Sequence, residues 1–208
     1  MDYIQQLINN YPQLNSSADS IRSAFEIIKR SFSNGGKLLI AGNGGSAADS
    51  EHIVGELMKN FVKKRKLPDS FIKEIEKENN IFSSYLISNL QPGLPTIAIS
   101  GHSSLNTACI NDIDGNITFA QQVYCYGNEG DVFLGISTSG NAKNVLYATV
   151  TAKAKKLKTL ALTGGNGGSL TNLTDVSIIV PETETYRIQE LHLPVYHCLC
   201  LMLEDYFF

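Results

Sequence analysis

KLLIAGNGGSAADSEHIVGELMKNF, residues 37–61, is the stretch whose reading decides the fold. It opens with a short apolar run, Leu38 to Ala41. It turns through Gly42-Asn43-Gly44-Gly45-Ser46 and continues from Ala47 to about Asn60 in good helix formers without proline. Strand, glycine turn and helix together form an anion-binding arrangement. Glycines let backbone N–H groups approach a phosphate, and the helix N-terminus adds partial positive charge. One turn into the predicted helix, His52 and Glu56 stand four residues apart and share a face. The turn suggests a phosphate or sugar hydroxyls, and the pair suggests metal ligation or acid–base chemistry. The plainer readings are a tight connection and a solvated helix face. No Gly-Lys-Ser/Thr follows, so this is not a Walker loop, and the third glycine of a dinucleotide fingerprint is missing at its offset.

The same alternation extends along the chain. Residues 2–10 and 18–32 carry apolar stripes at helical spacing: Tyr3, Ile4, Leu7, Ile8, then Ile21, Ala24, Phe25, Ile28, Phe32. Ser16 or Ser17 is placed to cap the second helix. These helices precede any strand, so residues 1–34 are read as oligomer-packing helices, with docking on the protomer's own sheet as the alternative. Apolar runs 94–100, 131–137, 158–163 and 176–180 read as further strands, with helices at 105–114, 119–126, 142–156 and 186–208. Buried strands alternating with helices predict an α/β fold, a doubly wound five-stranded parallel sheet flanked by helices. Residues 63–93 interrupt the alternation with two short helical patterns separated by Asn79-Asn80, and read as a helical insertion or lid. The charge run Val62-Lys63-Lys64-Arg65-Lys66 reads as a solvated loop, or else as phosphate attraction near the site.

The composition fits one domain. With 208 residues, 43% hydrophobic and 18% charged, the chain can bury a substantial core, and its net charge of −3 gives no basic field for nucleic acid. No apolar run is long enough to span a bilayer and none resembles a signal peptide, so the expectation is a cytoplasmic protein. Cys109, Cys125, Cys198 and Cys200 form no C-x-x-C pair and are expected as core thiols.

Ligands of doubly wound sheets collect at the carboxyl ends of the strands. Three polar loops fall there: 42–46, 137–141 and 164–169. Ser137-Thr138-Ser139-Gly140-Asn141 offers three hydroxyls at a helix start, where capping needs only one. The last helical stretch carries Gln189 and His197 on one stripe, with Pro194 between them. Proline there deprives the Glu190 carbonyl of its usual donor, and a kink is expected.

Four ordered motifs, G-N-G-G-S-A-A-D-S-E-H-I-V-G-E, I-S-T-S-G-N, T-G-G-N-G-G-S-L and R-I-Q-E-L-H-L-P-V-Y-H, resemble the sugar isomerase (SIS) domain family, most nearly its phosphoheptose isomerases. The resemblance covers nearly the whole chain outside 63–93. It implies one zinc per subunit held by His52, Glu56, Gln189 and His197. Substrate contacts are implied at Asn43, Gly44, Gly45, Ser46, Asn111, Asp112 and Gln189, and a phosphate loop at Ser137, Thr138 and Ser139. It implies a homotetramer with sites at subunit interfaces, and an aldose–ketose isomerisation of a phosphorylated sugar through an enediol. Glu56 is then the base and His197 its acid–base partner. Two positions depart from the family pattern. Asn60 stands where a cation is common, with Lys63, Lys64 or Arg65 as substitutes, and Ala142 stands where a serine would add a hydroxyl. The alternative reading is a non-catalytic SIS protein that binds phosphosugars or associates with the replication initiator.

Overall fold

The computed structural model describes residues 2–78 and 81–208. Asn79 and Asn80, read as the break between the two helices of the insertion, lie outside the described residues. The elements follow in the order α1 (Tyr3–Asn10), α2 (Ala18–Ser33), β1 (Leu38–Ala41), α3 (Gly45–Met58), α4 (Asp69–Lys77), α5 (Ser83–Asn89), β2 (Thr96–Ala98) and α6 (Ser103–Asp112). After them come α7 (Thr118–Tyr126), β3 (Val132–Ile136), α8 (Lys143–Ala154), β4 (Lys158–Gly164), β5 (Val176–Val180) and α9 (Thr185–Phe207). The strands form one parallel sheet in the order β2-β1-β3-β4-β5, as the unalternating apolar runs predict. No described helix is long and apolar enough to cross a membrane.

Strand residues alternate between two cores. Leu38, Ile40, Leu134, Ile136, Leu160, Leu162 and Ile178 pack with α1, α2, α3 and α9 on one face. Leu39, Ala41, Phe133 and Ala161 pack with Phe119, Val123, Val145, Ala148 and Ala152 on the other. Both faces are covered, which is why the strands carry little polar alternation. The chain leaves β1 toward β2 on one side and returns to β3 on the other. The loops after β1 and β3 therefore part at their carboxyl ends, and this reversal opens a crevice.

Several local expectations are corrected. The stripes of α1 and α2, read as oligomer packing, are buried in the protomer itself: Ile4, Leu7, Ile21, Ala24, Ile28 and Phe32 all join the core under α9. The serines before α2 do not cap it. Residues Pro12–Ser17 wind as a 3-10 helix, and the Ser17 hydroxyl donates instead to the Ile179 carbonyl at 2.7 Å, tying that turn to β5. Because α3 begins at Gly45 rather than Ala47, His52 lies two turns into the helix, not one. Helix α9 runs from Thr185 to Phe207 with Pro194 inside it, so the proline does not end the helix. Cys109, Cys198 and Cys200 are core thiols, but Cys125 is exposed.

The charge run after α3 is corrected most. Arg65 is buried and its guanidinium lies 3.0 Å from Glu204 Oε1, with both side chains essentially inaccessible. It also donates to the carbonyls of Leu57 (2.8 Å), Glu56 (3.2 Å) and Pro92 (3.3 Å) and stacks 4.2 Å from the Phe208 ring centroid. Glu204 in turn accepts the backbone N–H groups of Phe61, Val62 and Lys63 at 2.8–3.1 Å. Arg65 thus fastens the end of α3 to α9 and is not available to a substrate. The helices α4 and α5 that follow contain no buried residue, and Phe71, Ile81, Phe82, Tyr85 and Leu90 stand exposed.

Candidate active site

The turn after β1 is built by backbone geometry. Gly44 adopts φ +54°, in the region that favours glycine, and precedes the first helical residue. The Ser46 N–H donates to the Asn43 carbonyl and the Ala47 N–H to that of Gly44, both at 3.0 Å. Ser100, at the end of the β2 segment, fastens the turn from below. Its hydroxyl accepts from the Gly42 N–H at 3.1 Å and donates to the Gly42 carbonyl at 2.9 Å. Ser46 is buried, whereas Asn43, Gly44 and Gly45 face solvent. Asn43 forms a reciprocal amide pair with Asn144 at the start of α8, at 3.0 and 2.8 Å. This pair bridges the crevice and joins the turn after β1 to the element that follows the loop after β3.

The 137–141 loop is clamped by the 164–169 loop. The Gly164 N–H donates to Thr138 O (3.1 Å), Leu170 N–H to Gly140 O (3.0 Å), and Ser169 N–H to Asn141 Oδ1 (3.0 Å). Of the three hydroxyls, Ser139 accepts the Asn141 N–H at 3.2 Å, while Ser137 and Thr138 enter no hydrogen bond among the described residues. None caps α8. Its N-cap is Ala142, and the Val145 N–H is met by Asn144 Oδ1 at 3.0 Å. The two spare hydroxyls therefore border a helix N-terminus lacking a side-chain cap, which favours an anion. Gly140 has φ +66°, and a Cβ there would collide with the Gly167 carbonyl. Gly140→Ala is expected to lower the melting temperature and weaken phosphate binding together, because the side chain must push the two loops apart. Thermal melts with and without inorganic phosphate check this: the phosphate-induced rise in melting temperature should shrink.

Along α3, His52 and Glu56 share a face, as their spacing predicts, and His52 meets Tyr196 and His197 of α9. His52 Nε2 lies 3.1 Å from Glu56 Oε1, and Glu56 Oε2 lies 3.5 Å from Lys59 Nζ. Lys59 is thus the cation beside Glu56; Lys63 pairs with Asp205 at 2.6 Å instead. His197 of α9 meets the His52 ring edge to face, with centroids 5.0 Å apart, and Phe61 covers it at 5.4 Å. Its Nε2 is buried without a hydrogen-bond partner. Burial first, and then the neighbouring His52, hold the His197 imidazole below its usual range, so the neutral ring persists at neutral pH. Gln189 lies further up the same seam, with its carboxamide over Gly45. A Cβ on Gly45 would fall 2.5 Å from the Gln189 nitrogen, so a larger residue there would displace the carboxamide.

The structure therefore gathers His52, Glu56 and His197, and sets Gln189 against the first turn of α3. Asn111 and Asp112 stand apart. They end α6 exposed, bonded to each other at 2.7 Å, with no hydrogen bond to the crevice loops. Zinc takes imidazole and carboxylate donors, and an orphaned imidazole nitrogen beside a His/Glu pair fits that chemistry. Among the described residues no three His, Cys, Asp or Glu groups are already clustered closely enough to chelate an ion. Sequence reasoning missed Ser100, Asn144, Asp49 and Tyr196. Asp49 stands three residues before His52 and so shares its helix face, a signal that was available; Tyr196 carried none.

The SIS domain family profile matches residues 2–85 and 86–164. A phosphoheptose isomerase of Thermodesulfovibrio yellowstonii is 38% identical over 188 residues, 90% of this chain and 81% of that protein. One from Aneurinibacillus thermoaerophilus is 35% identical over 209 residues, 99% of this chain and 92% of that protein. The solved structure of a phosphoheptose isomerase from Francisella tularensis superposes with a TM-score of 0.77 at 31% identity, covering 98% of this chain and 95% of that one.

Proposed function

Because this chain belongs to the SIS-domain family, among its phosphoheptose isomerases, we propose that it is an aldose–ketose isomerase that converts sedoheptulose 7-phosphate to D-glycero-D-manno-heptose 7-phosphate. The observation that carries the reading is the convergence of His52, Glu56 and His197 in the α3/α9 seam, in a chain whose loop after β3 keeps the Ser137 and Thr138 hydroxyls unengaged among the described residues. A non-catalytic scaffold has no use for that convergence.

The reaction moves a proton between C1 and C2 of the open-chain sugar through an enediol. Glu56 takes the proton from one carbon and returns it to the other. A carboxylate has two oxygens, so one can stay engaged with His52 while the other works. His197, held neutral by burial, keeps one accepting and one donating nitrogen, and where no metal occupies the accepting one it can exchange a proton with a sugar oxygen. Ser137, Thr138 and the first N–H groups of α8 receive the phosphate. Each hydrogen bond to that charged group is worth about 1.5–3 kcal/mol. Asn43, Gly44, Gly45, Ser46 and Gln189 line the sugar; Asn111 and Asp112 would contact it from an adjoining subunit of a homotetramer. His52, Glu56, Gln189 and His197 would hold zinc, one per subunit, which as a Lewis acid would polarise the carbonyl. The proposed setting is the cytoplasm.

Incubation of purified protein with sedoheptulose 7-phosphate, followed by NMR of the sugar and with metal content assayed in parallel, tests the proposal. Appearance of the aldose signals supports it; metal-loaded protein without conversion refutes this substrate. A second test concerns residues 63–93, which we read as a lid. Since α4 and α5 bury no side chain, deleting residues 68–90 is expected to raise KM while leaving the melting temperature nearly unchanged. The opposite pattern, in calorimetry and steady-state kinetics, would make the segment structural.

A further inference from the structure

Behind the His52 ring lies a buried polar chain that the proposed reaction does not use. Tyr196 is 2% exposed, and its hydroxyl lies 2.9 Å from His52 Nδ1 and 3.3 Å from Asp49 Oδ1. Its ring stands edge to face with the imidazole, centroids 5.4 Å apart, so the phenol is both wedge and hydrogen-bond partner. The second Asp49 oxygen is buried without a partner. It lies 3.9 Å from Nδ1 of His192, a fully buried ring neither of whose nitrogens is bonded.

A phenol has one proton to donate, which leaves two arrangements. In the first, Tyr196 donates to His52 Nδ1, so His52 Nε2–H points at Glu56 and the half-buried Asp49 carboxylate keeps no side-chain donor among the described residues. In the second, Tyr196 donates to Asp49 and accepts from His52 Nδ1–H. The lone pair of His52 Nε2 then faces Glu56 Oε1 across 3.1 Å. The second arrangement gives the half-buried Asp49 carboxylate, 15% exposed, a donor on Oδ1, a hydrogen bond to a charged acceptor being the stronger kind. It also sets two electron-pair donors face to face, a pairing that a cation between them satisfies.

We propose that Tyr196 is a positioning residue whose hydroxyl, anchored on Asp49, holds the His52 ring with Nδ1–H inward and the Nε2 lone pair outward as a metal donor. The inference rests on the zinc reading above and adds to it a residue that touches neither substrate nor metal. Buried hydrogen-bond partners behind a ligating histidine fix ring and tautomer, and their loss weakens metal binding by about 10–100-fold.

The test is Co2+ binding to the full-length wild type and to Tyr196→Phe, read by the visible absorption band and by chelator competition. Melting temperature, kcat and KM are measured alongside. Tyr196→Phe keeps the ring and removes only the hydroxyl. It should weaken Co2+ binding about 10–100-fold and lower kcat with KM little changed, while the melting temperature stays near wild type. Asp49→Asn, which keeps an acceptor oxygen but loses its charge, should fall between the two. Equal Co2+ affinity in wild type and Tyr196→Phe overturns the positioning role and leaves the metal reading standing, as does a drop in melting temperature with unchanged affinity. A wild type that binds no Co2+ overturns the metal reading, and this inference with it.

Discussion

Glu56→Gln is expected to lower kcat by about 10²–10⁴-fold, the usual contribution of a positioned general base, while binding of the sugar phosphate persists. The amide is nearly isosteric with the carboxylate but cannot take a proton from carbon. Its amide N–H can donate to the His52 Nε2 lone pair, which lies 3.1 Å from Glu56 Oε1, so the seam keeps its shape. The phosphate loop is tied to 164–169 and not to α3, so its affinity for phosphate should be untouched. Turnover and isothermal titration with the sugar phosphate on one preparation separate these effects. Unchanged turnover would remove Glu56 as the base; lost binding with lost turnover would instead mean that the carboxylate holds the ground state.

The second large effect concerns stability. Arg65→Ala is expected to destabilise the fold by about 3–5 kcal/mol, because it strands a carboxylate in a buried position. At about 2–4 °C per kcal/mol for a chain of this size, the melting temperature should fall by about 6–20 °C. The Arg65 and Glu204 side chains are 0% and 1% exposed, so water cannot replace the missing partner without opening the α3/α9 junction. The Glu56 and Leu57 carbonyls also lose their donor, so kcat should fall as the helix end carrying Glu56 loosens. Arg65→Met with Glu204→Leu removes both charges and should recover part of the loss. Recovery stays incomplete because the N–H groups of Phe61, Val62 and Lys63 then lack their acceptor. Denaturant titration of the three proteins checks this order. A stable Arg65→Ala would mean that the clamp contributes nothing.

Acid should reproduce the same failure. Burial alone would raise the Glu204 carboxyl, but the N–H groups of Phe61, Val62 and Lys63 and the Arg65 guanidinium together hold it below the usual carboxylate range. In the pH interval between the folded and unfolded values, the unfolded chain binds the extra proton, so stability rises with pH there. The contribution is present in full above the ordinary glutamate pKa and lost as pH falls through the lower folded value. The Arg65→Met/Glu204→Leu variant should show a shallower decline of stability below pH 5 than wild type.

Much of this protein was legible without coordinates. The strands were readable because both sheet faces are covered, so each strand is apolar throughout. The glycine turn announced itself by residue types that tolerate φ +54° at Gly44 and the close approach of Gln189 to Gly45. The His52/Glu56 pair followed from helical periodicity, and two of the three hydroxyls in 137–139 were indeed left unused by the local structure. Each of these signals lies within one element or one loop.

What the sequence could not supply crosses between elements. The stripes on α1 and α2 stated that an apolar face must be covered, but burial carries no address, and the protomer's own α9 and sheet supplied the cover. The charge run at 62–66 has the composition of a solvated loop. Only the fold places Glu204 139 residues away opposite Arg65, turning one of those cations into a buried clamp. Asn43 and Asn144 are 101 residues apart, and Tyr196 reaches His52 across 144. The sequence by itself thus determined the sheet, the order of the loops and the kinds of chemical group available at them. Tertiary packing decided which groups meet, because a hydrogen bond or ion pair depends on separation in space, and its strength on the burial that only the folded chain creates.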